Sequence, residues 1–310
     1  MILCITPNPA VDRTLLVPGL RLGEPQRAAN SIVAAGGKGL NVARVARALG
    51  GAVVCAGFLG GHSGRLVADL AARDGLIGDW TWIAGETRTC TIIVGGRAHD
   101  ATVINEPGPA VASDDWAHLA DQAVHKALSA AAVCVSGSMP PGSAPADYAL
   151  MLRQLRDTGC PVWADTSGPA LAAARAVGGV SLKVNAAEAA ELLGRSIATP
   201  AEAHIAAREL HSQAGAAVVL TLGGAGAVLA GAEGSWHARP PEVAIVSTVG
   251  SGDAFLAGLV VALTRALPPP EALRYAVAAG AANAMSVGGG RIDLDCFREL
   301  LAGSLCEPLR

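Results

Sequence analysis

An α/β fold with a mostly parallel central sheet is predicted by two patterns. Short β-branched runs alternate with longer amphipathic segments through most of the 310 residues, as repeated βαβ units require. With 51% hydrophobic residues, a chain of this length can bury a large core in one broad domain, and no linker, repeat or low-complexity tract divides it. A third observation qualifies the first two: two stretches carry strand patterning with no helix between them, which points to a small second sheet.

The first strand is read at 2–5, an unbroken apolar run. Residues 11–17 and 28–35 read as two strands joined by a polar loop. A helix follows at 39–49, where Val42, Val45, Ala46 and Leu49 recur at helical spacing, and then a strand at 53–58. Residues 88–94 and 98–105 flank Gly95-Gly96, a two-residue hairpin signal. The helix at 113–128 opens on a capping serine with two acids in its first turn. Four further strands are read at 132–136, 161–165, 181–185 and 217–222. A single domain over 1–310 is therefore expected, with inserted strands at roughly 11–35 and 86–106. These insertions cannot pack on both faces of the main sheet; they form a lid, a dimer surface or both, or else an ordinary edge hairpin.

Charged residues make up 16% of the chain and the net charge is −3, so it has no basic field for a nucleic-acid backbone or an anionic membrane. An anionic ligand must instead be held by a few placed cations and backbone amides. The seven cysteines include no C-x-x-C pair and mostly sit in apolar runs. Together with the lack of a basic leader or a long apolar span, this predicts a cytoplasmic protein with reduced thiols.

The strongest local signal is Ser247-Thr-Val-Gly250-Ser251-Gly252-Asp253, leading into an apolar helical stretch. Gly250 and Gly252 allow a turn that aims the amides at the helix start toward one spot, where the helix dipole also favours an anion. Asp253 stands beside that cradle, as a base for a hydroxyl attacking a phosphate or as an acidic N-cap in a glycine-rich turn. A second glycine cluster, Gly36-Gly37-Lys38-Gly39-Leu40-Asn41, also feeds a helix. It is not a P-loop, because Leu40 stands where Ser or Thr would bind magnesium. What remains is close backbone approach to a small polar ligand, with Lys38 as a point charge and Asn41 as a two-way hydrogen-bonder suited to sugar hydroxyls.

Weaker signals gain weight together. Asp12, just after the first strand, suits vicinal hydroxyls or a plain turn. Arg88 opens an inserted strand and suits a phosphate clamp or an exposed edge. Asn185 and Glu188 place two oxygen ligands one helical turn apart, a spacing for water-mediated Mg²⁺ or for a simple helix start. Thr221, Gly223 and Gly226 follow a buried strand, against a nucleotide or in a tight hairpin. No H-e-x-x-H, Cys/His cluster or nucleophile elbow is present.

In these motifs the chain resembles the PfkB carbohydrate kinases, within the ribokinase-like fold. The matching segments are Thr6-Pro-Asn-Pro-Ala-Val-Asp12, Gly36-Gly-Lys-Gly-Leu-Asn41, Thr87-Arg-Thr-Cys90, Ser136-Gly-Ser-Met-Pro-Pro-Gly142, Lys183-Val-Asn-Ala-Ala-Glu188 and Ser247-Thr-Val-Gly-Ser-Gly-Asp253. They resemble most the branch that contains 1-phosphofructokinase, tagatose-6-phosphate kinase and minor 6-phosphofructokinases. The resemblance implies a three-layer α/β/α sandwich with a small β-sheet lid that often pairs two subunits, and ATP and Mg²⁺ as cofactors. It implies Asp253 as the catalytic base, with Gly250, Ser251 and Gly252 forming the anion hole. Asp12, Gly36, Gly37 and Asn41 would hold the sugar, while Lys38, Arg88, Ser138 and Arg27 would hold its phosphate. Asn185 and Glu188 would organise magnesium and the ATP phosphates; Lys183, Thr221, Gly223 and Gly226 would line the nucleotide site, with Asn283 near the adenine.

Three departures stand out. Ser251 replaces an alanine of the usual glycine turn, Val184 replaces a proline, and Ser247 replaces an aspartate tied to monovalent-cation binding. The expected reaction is ATP-dependent phosphorylation of fructose 1-phosphate or tagatose 6-phosphate. The alternatives are a 6-phosphofructokinase or a kinase of an unphosphorylated sugar or nucleoside, which would leave Lys38 and Arg88 without an anion. A silent sugar-phosphate sensor is disfavoured by the intact Asp253, and a dinucleotide oxidoreductase by the lack of G-x-G-x-x-G after the first strand.

Overall fold

The computed structural model describes residues 1–95 and 101–310, so Gly96 of the hairpin signal and the first part of the strand read at 98–105 lie outside the described residues. The first third holds β1 (Ile2–Thr6), β2 (Ala10–Val17), β3 (Asn30–Gly36), α1 (Lys38–Ala48), β4 (Val53–Leu59), α2 (Gly61–Arg73), β5 (Ile77–Trp82), β6 (Arg88–Gly95) and β7 (Ala101–Asn105). Next come α3 (Ser113–Ala127), β8 (Ala132–Ser136), α4 (Pro145–Asp157), β9 (Val162–Asp165), α5 (Gly168–Val177), β10 (Ser181–Asn185), α6 (Ala186–Leu193) and α7 (Pro200–Ala214). The last third holds β11 (Val218–Thr221), β12 (Ala227–Gly231), β13 (Gly234–Arg239), α8 (Ser251–Thr264), α9 (Pro269–Ala284), α10 (Leu294–Gly303) and β14 (Leu305–Leu309).

Ten strands form one sheet in the order β14-β13-β12-β11-β10-β9-β8-β1-β4-β5. From β11 to β5 every pairing is parallel, whereas β12, β13 and β14 close one edge antiparallel. The inner parallel strands are mostly apolar on both faces because helices cover both. In β1, Ile2 and Cys4 point into a core shared with α1, α2, α8, α9 and α10, while Leu3 and Ile5 point into a second core shared with α3 to α7. This alternation makes a three-layer α/β/α sandwich. α8 is buried along Asp253–Ala262, and Gly258 lets α9 approach closely: an added Cβ there would lie 2.8 Å from the Ala279 Cβ.

The two strand-only insertions form a separate four-stranded sheet, β3-β2-β6-β7. β2 pairs antiparallel with β3 and parallel with β6, and β6 pairs antiparallel with β7. Only Pro7, Asn8 and Pro9 separate β1 of the large sheet from β2 of the small one. All seven cysteines are free. Among the described residues no helix is long and apolar enough to cross a membrane.

Candidate active site

The carboxyl ends of β1, β9 and β10 and the starts of α1, α6 and α8 converge where the two sheets meet, the usual place for a ligand in an open parallel sheet. α8 begins after Gly250, whose φ of 80° is left-handed, and no side chain caps this end. A Cβ on Gly250 would lie 2.6 Å from the Gly289 Cα and 2.7 Å from the Gly290 nitrogen, so only glycine fits this turn. The first-turn amides of Gly252 and Asp253 have no acceptor inside the helix and carry its positive dipole end.

Asp253 is buried, and its Oδ2 accepts a hydrogen bond from Asn41 Nδ2 at 2.8 Å. Burial pushes its carboxyl up to about 6; the Asp165 charge acts in the same direction, against Lys38, the Asn41 amide and Lys183. A carboxylate titrating near neutrality is suited to accept a proton from an alcohol.

Lys38, at the start of α1, donates to Asp165 Oδ1 at 2.6 Å and lies 3.9 Å from Glu188 Oε1. Lys183, from β10, pairs with the other Asp165 oxygen at 2.9 Å. Asp165 is fully buried at the end of β9. Burial opposes its charge, yet Lys183 and Lys38 outweigh that and hold it below the usual carboxylate range. Burial also opposes the Lys38 ammonium, but Asp165, Asp253 and Glu188 raise it above the ordinary lysine value. Gly252 is pressed against this group: a Cβ there would sit 2.8 Å from Lys183 Nζ.

Asn185 and Glu188 form a reciprocal capping box at the start of α6, with Glu188 N to Asn185 Oδ1 at 2.9 Å and Asn185 N to Glu188 Oε2 at 2.8 Å. One oxygen of each thus serves the helix, and Glu188 Oε1 remains turned toward Lys38. Thr221 lies beside Asn185 across β10 and β11 and donates to the Val184 carbonyl at 3.4 Å. Gly223 opens an exposed turn with free space where a Cβ would be, whereas Gly226 packs on the Ala238 carbonyl.

On the small-sheet side, the Asp12 carboxyl lies over Gly36, where a Cβ would collide with it. Burial raises Asp12 to about 6, against Arg44, Arg88 and the Cys90 thiol. Gly37 caps α1 with a φ of 116°, against Thr6 and Pro9. The Arg88 guanidinium donates to the Asn8 carbonyl at 3.0 Å and the Glu106 carbonyl at 3.2 Å, and Asn8 reaches Ser138 Oγ at 3.5 Å.

The structure therefore gathers Lys38, Asn41, Lys183, Glu188, Gly252 and Asp253 around Asp165, and sets Asp12, Arg88 and Ser138 along the small-sheet side. Two further residues lie apart from this cluster. Asn283 is fully buried; its amide donates to the Val249 carbonyl at 2.9 Å and to Ser251 Oγ at 3.3 Å, and its oxygen accepts from Arg291 N. It braces the turn before α8. Arg27 lies on the exposed β2–β3 connection, and no hydrogen bond or ion pair among the described residues ties it to the site. Sequence reading missed Asp165 as the hub of the two lysines, though its position as a charged residue ending a predicted strand was a usable signal.

An open helix start beside a buried carboxylate, with lysines on a second buried acid, is an arrangement suited to phosphoryl transfer to an alcohol. A family model described as pfkB family carbohydrate kinase matches residues 5–294. The chain belongs to this family, has its ribokinase-like fold, and is an ATP-dependent sugar-phosphate kinase. It is 36% identical over 293 residues to 1-phosphofructokinase of Haloferax volcanii, covering 94% of this chain and 93% of that protein. It is 37% identical over 274 residues to 1-phosphofructokinase of Rhodobacter capsulatus, covering 87% and 86%. Among solved structures, phosphofructokinase-2 from Escherichia coli in complex with potassium superposes with a TM-score of 0.90 at 27% identity, over 97% of this chain and 98% of that one.

Proposed function

We propose that the protein transfers the γ-phosphoryl group of ATP to the 6-hydroxyl of fructose 1-phosphate, giving the 1,6-bisphosphate. The observation that carries the mechanism is the buried Asp253 carboxylate, held by Asn41 beside the open amides of α8. Asp253 takes the hydroxyl proton as the sugar oxygen bonds to phosphorus and the bond to the ADP oxygen breaks. The Gly252 and Asp253 amides, at the turn formed by Gly250 and Ser251, receive the charge that grows on the transferred group. Asp12, Gly36, Gly37 and Asn41 orient the sugar, with Arg88, Ser138, Lys38 and Arg27 on its phosphate. Lys183, Thr221, Gly223 and Gly226 flank the nucleotide. The choice of fructose 1-phosphate over tagatose 6-phosphate or fructose 6-phosphate is supported by relatives named 1-phosphofructokinase at 30–37% identity over nearly the whole chain.

The donor set at Asn185 and Glu188 fits Mg²⁺: it offers hard oxygens only, too few for a bare ion but enough to orient a hydrated ion already held by phosphates. Mg²⁺, when bound, neutralises phosphate charge. Glu188 Oε1 is the protein oxygen free to face it.

A second copy of the chain docks through the small sheet. The cross-strand row Asp12, Ala34, Cys90 and Asn105 shares its face with the row Thr14, Ile32, Ile92 and Val103, two residues farther out. Ile32 and Val103 are each 42% exposed there, so the face continues from the site into an open apolar patch.

The test is an ADP-release assay across the three sugar phosphates with wild type and Asp253→Asn. Fructose 1-phosphate is expected to give the highest kcat/KM, and the variant to bind ATP normally while losing roughly 10²–10⁴ in turnover. Near-normal turnover in Asp253→Asn would overturn the mechanism; preference for another sugar would overturn the substrate.

A further inference from the structure

We infer that Arg44, one turn after Asn41 on α1, is a positioning residue that locks the Asn41 amide in the one orientation that presents N–H to the base. The inference rests on Asp253 being that base. Arg44 Nη1 donates to Asn41 Oδ1 at 3.0 Å and to the Gly289 carbonyl at 3.3 Å. Its Nη2 donates to the Ala35 carbonyl at 2.7 Å, and its Nε to Asp74 Oδ2 at 2.8 Å. Four of the five guanidinium N–H groups are thus directed at four acceptors on different segments. The side chain is 10% exposed, so these contacts are not loosened by water.

The chemistry of the two neighbours fixes the orientation. A guanidinium has only donors and an ionised carboxylate only acceptors. An asparagine between them satisfies both only with its oxygen toward Arg44 and its NH₂ toward Asp253. Turned over, it would set an oxygen against the carboxylate and leave Arg44 facing an NH₂. Gly289 and Gly290 close the other side, since a Cβ on them would lie 2.9 Å from Asn41 Nδ2 and 2.7 Å from its Cα. Gly289 also abuts Gly250, so one guanidinium ties together the sugar-side amide, the base and the anion turn.

Asp253 is faced by Lys38 and Asn41 from α1, Asp165 from β9 and Lys183 from β10. Removing Arg44 changes none of these charges. It frees the amide to turn, which withdraws a hydrogen bond that favours the carboxylate, so the base becomes harder to ionise. Arg44 also lowers Asp12, so a pure charge effect has to be separated from the amide effect.

The test is the pH profile of kcat/KM for Arg44→Met, Arg44→Lys, Asn41→Ala and the double variant Arg44→Met/Asn41→Ala. Both single Arg44 variants are expected to move the acid limb upward by about half a unit or more and to lower kcat/KM near pH 6.5 by roughly 3- to 10-fold. In the Asn41→Ala background, Arg44→Met is expected to add no further shift. A wild-type limb in Arg44→Lys, or an equal added shift in the double variant, would show charge acting on Asp12 and overturn the inference. If Arg44→Met fails to fold, the lysine variant alone decides. Failure of the underlying reading is distinct, because it appears as turnover retained in Asp253→Asn whatever Arg44 does.

Discussion

Asp253 illustrates how a functional group is made by being placed badly for stability. Its folded pKa of about 6 lies above the ordinary 3.8, so the folded state holds this proton more tightly than the unfolded one. Stability from that proton is complete below the unfolded pKa and is lost as pH rises through about 6. Activity runs the other way, because only the carboxylate accepts a proton, and kcat/KM is expected to fall below pH about 6. Asp253→Asn should therefore unfold at a higher temperature than wild type at pH 8, with a gain of roughly 1–3 kcal/mol; a lower melting temperature in calorimetry would contradict this. Asp165 has the opposite character. Asp165→Ala leaves Lys38 and the buried Lys183 without their counter-charge, and a loss of roughly 3–5 kcal/mol in urea unfolding is expected. A loss within measurement error would show the lysines finding other partners. The place of Asp165 at the end of a strand was legible in the sequence, but its pairing with the two lysines was not. The glycine turns, Lys38, Asn41 and Asp253 announce themselves by local spacing, but Lys38 meets Asp165 across 127 positions, which no local pattern encodes. The contact of Asn283 is non-local in the same way: its acceptor, the Val249 carbonyl, lies 34 residues away.

At the scale of elements, legibility follows burial. Strands β1, β4, β8 and β11 were readable within a residue or two because both faces are covered and the runs are almost wholly apolar, and β10 was readable by its position in the alternation of elements despite Lys183. Strand β5, Ile-Gly-Asp-Trp-Thr-Trp, lies at an edge, and β14 carries Glu307 and Pro308; neither shows an apolar run or a clean alternation. The hairpin of β12 and β13 was hidden by its glycines. The start of α8 is the element on which the proposed chemistry turns. Gly250→Ala would need a left-handed φ and would drive a Cβ into backbone at Gly289 and Gly290, where no side chain can yield. Its turnover is expected to fall by ~10²-fold or more while the circular dichroism of the folded protein is kept. Gly252→Ala meets only the tip of Lys183 and should be milder; equal losses would mean that the turn geometry is not what matters.

At the scale of the molecule, the sandwich with two cores and the small second sheet follow from the alternation of element types. How the second sheet is used does not, because an apolar face on an inserted strand reads alike whether a ligand or another subunit covers it. Ile32 and Val103, both exposed, are where these uses can be told apart. Val103→Glu should shift the protein from dimer to monomer in sedimentation at micromolar concentration and raise the KM for the sugar phosphate more than that for ATP. A monomeric wild type would sink the docking assignment.

Just three residues join β1 to β2, and Pro7 and Pro9 among them have fixed φ. Taken as a rigid arm held at this short link, β2 with its eight residues is roughly 26 Å long. A tilt of about 4° would carry the distal tip some ~2 Å, while Asp12, two residues into the strand, would barely travel. Whatever grips the tip would thus damp a swing of the whole arm, while Asp12, close to the held end, keeps its place.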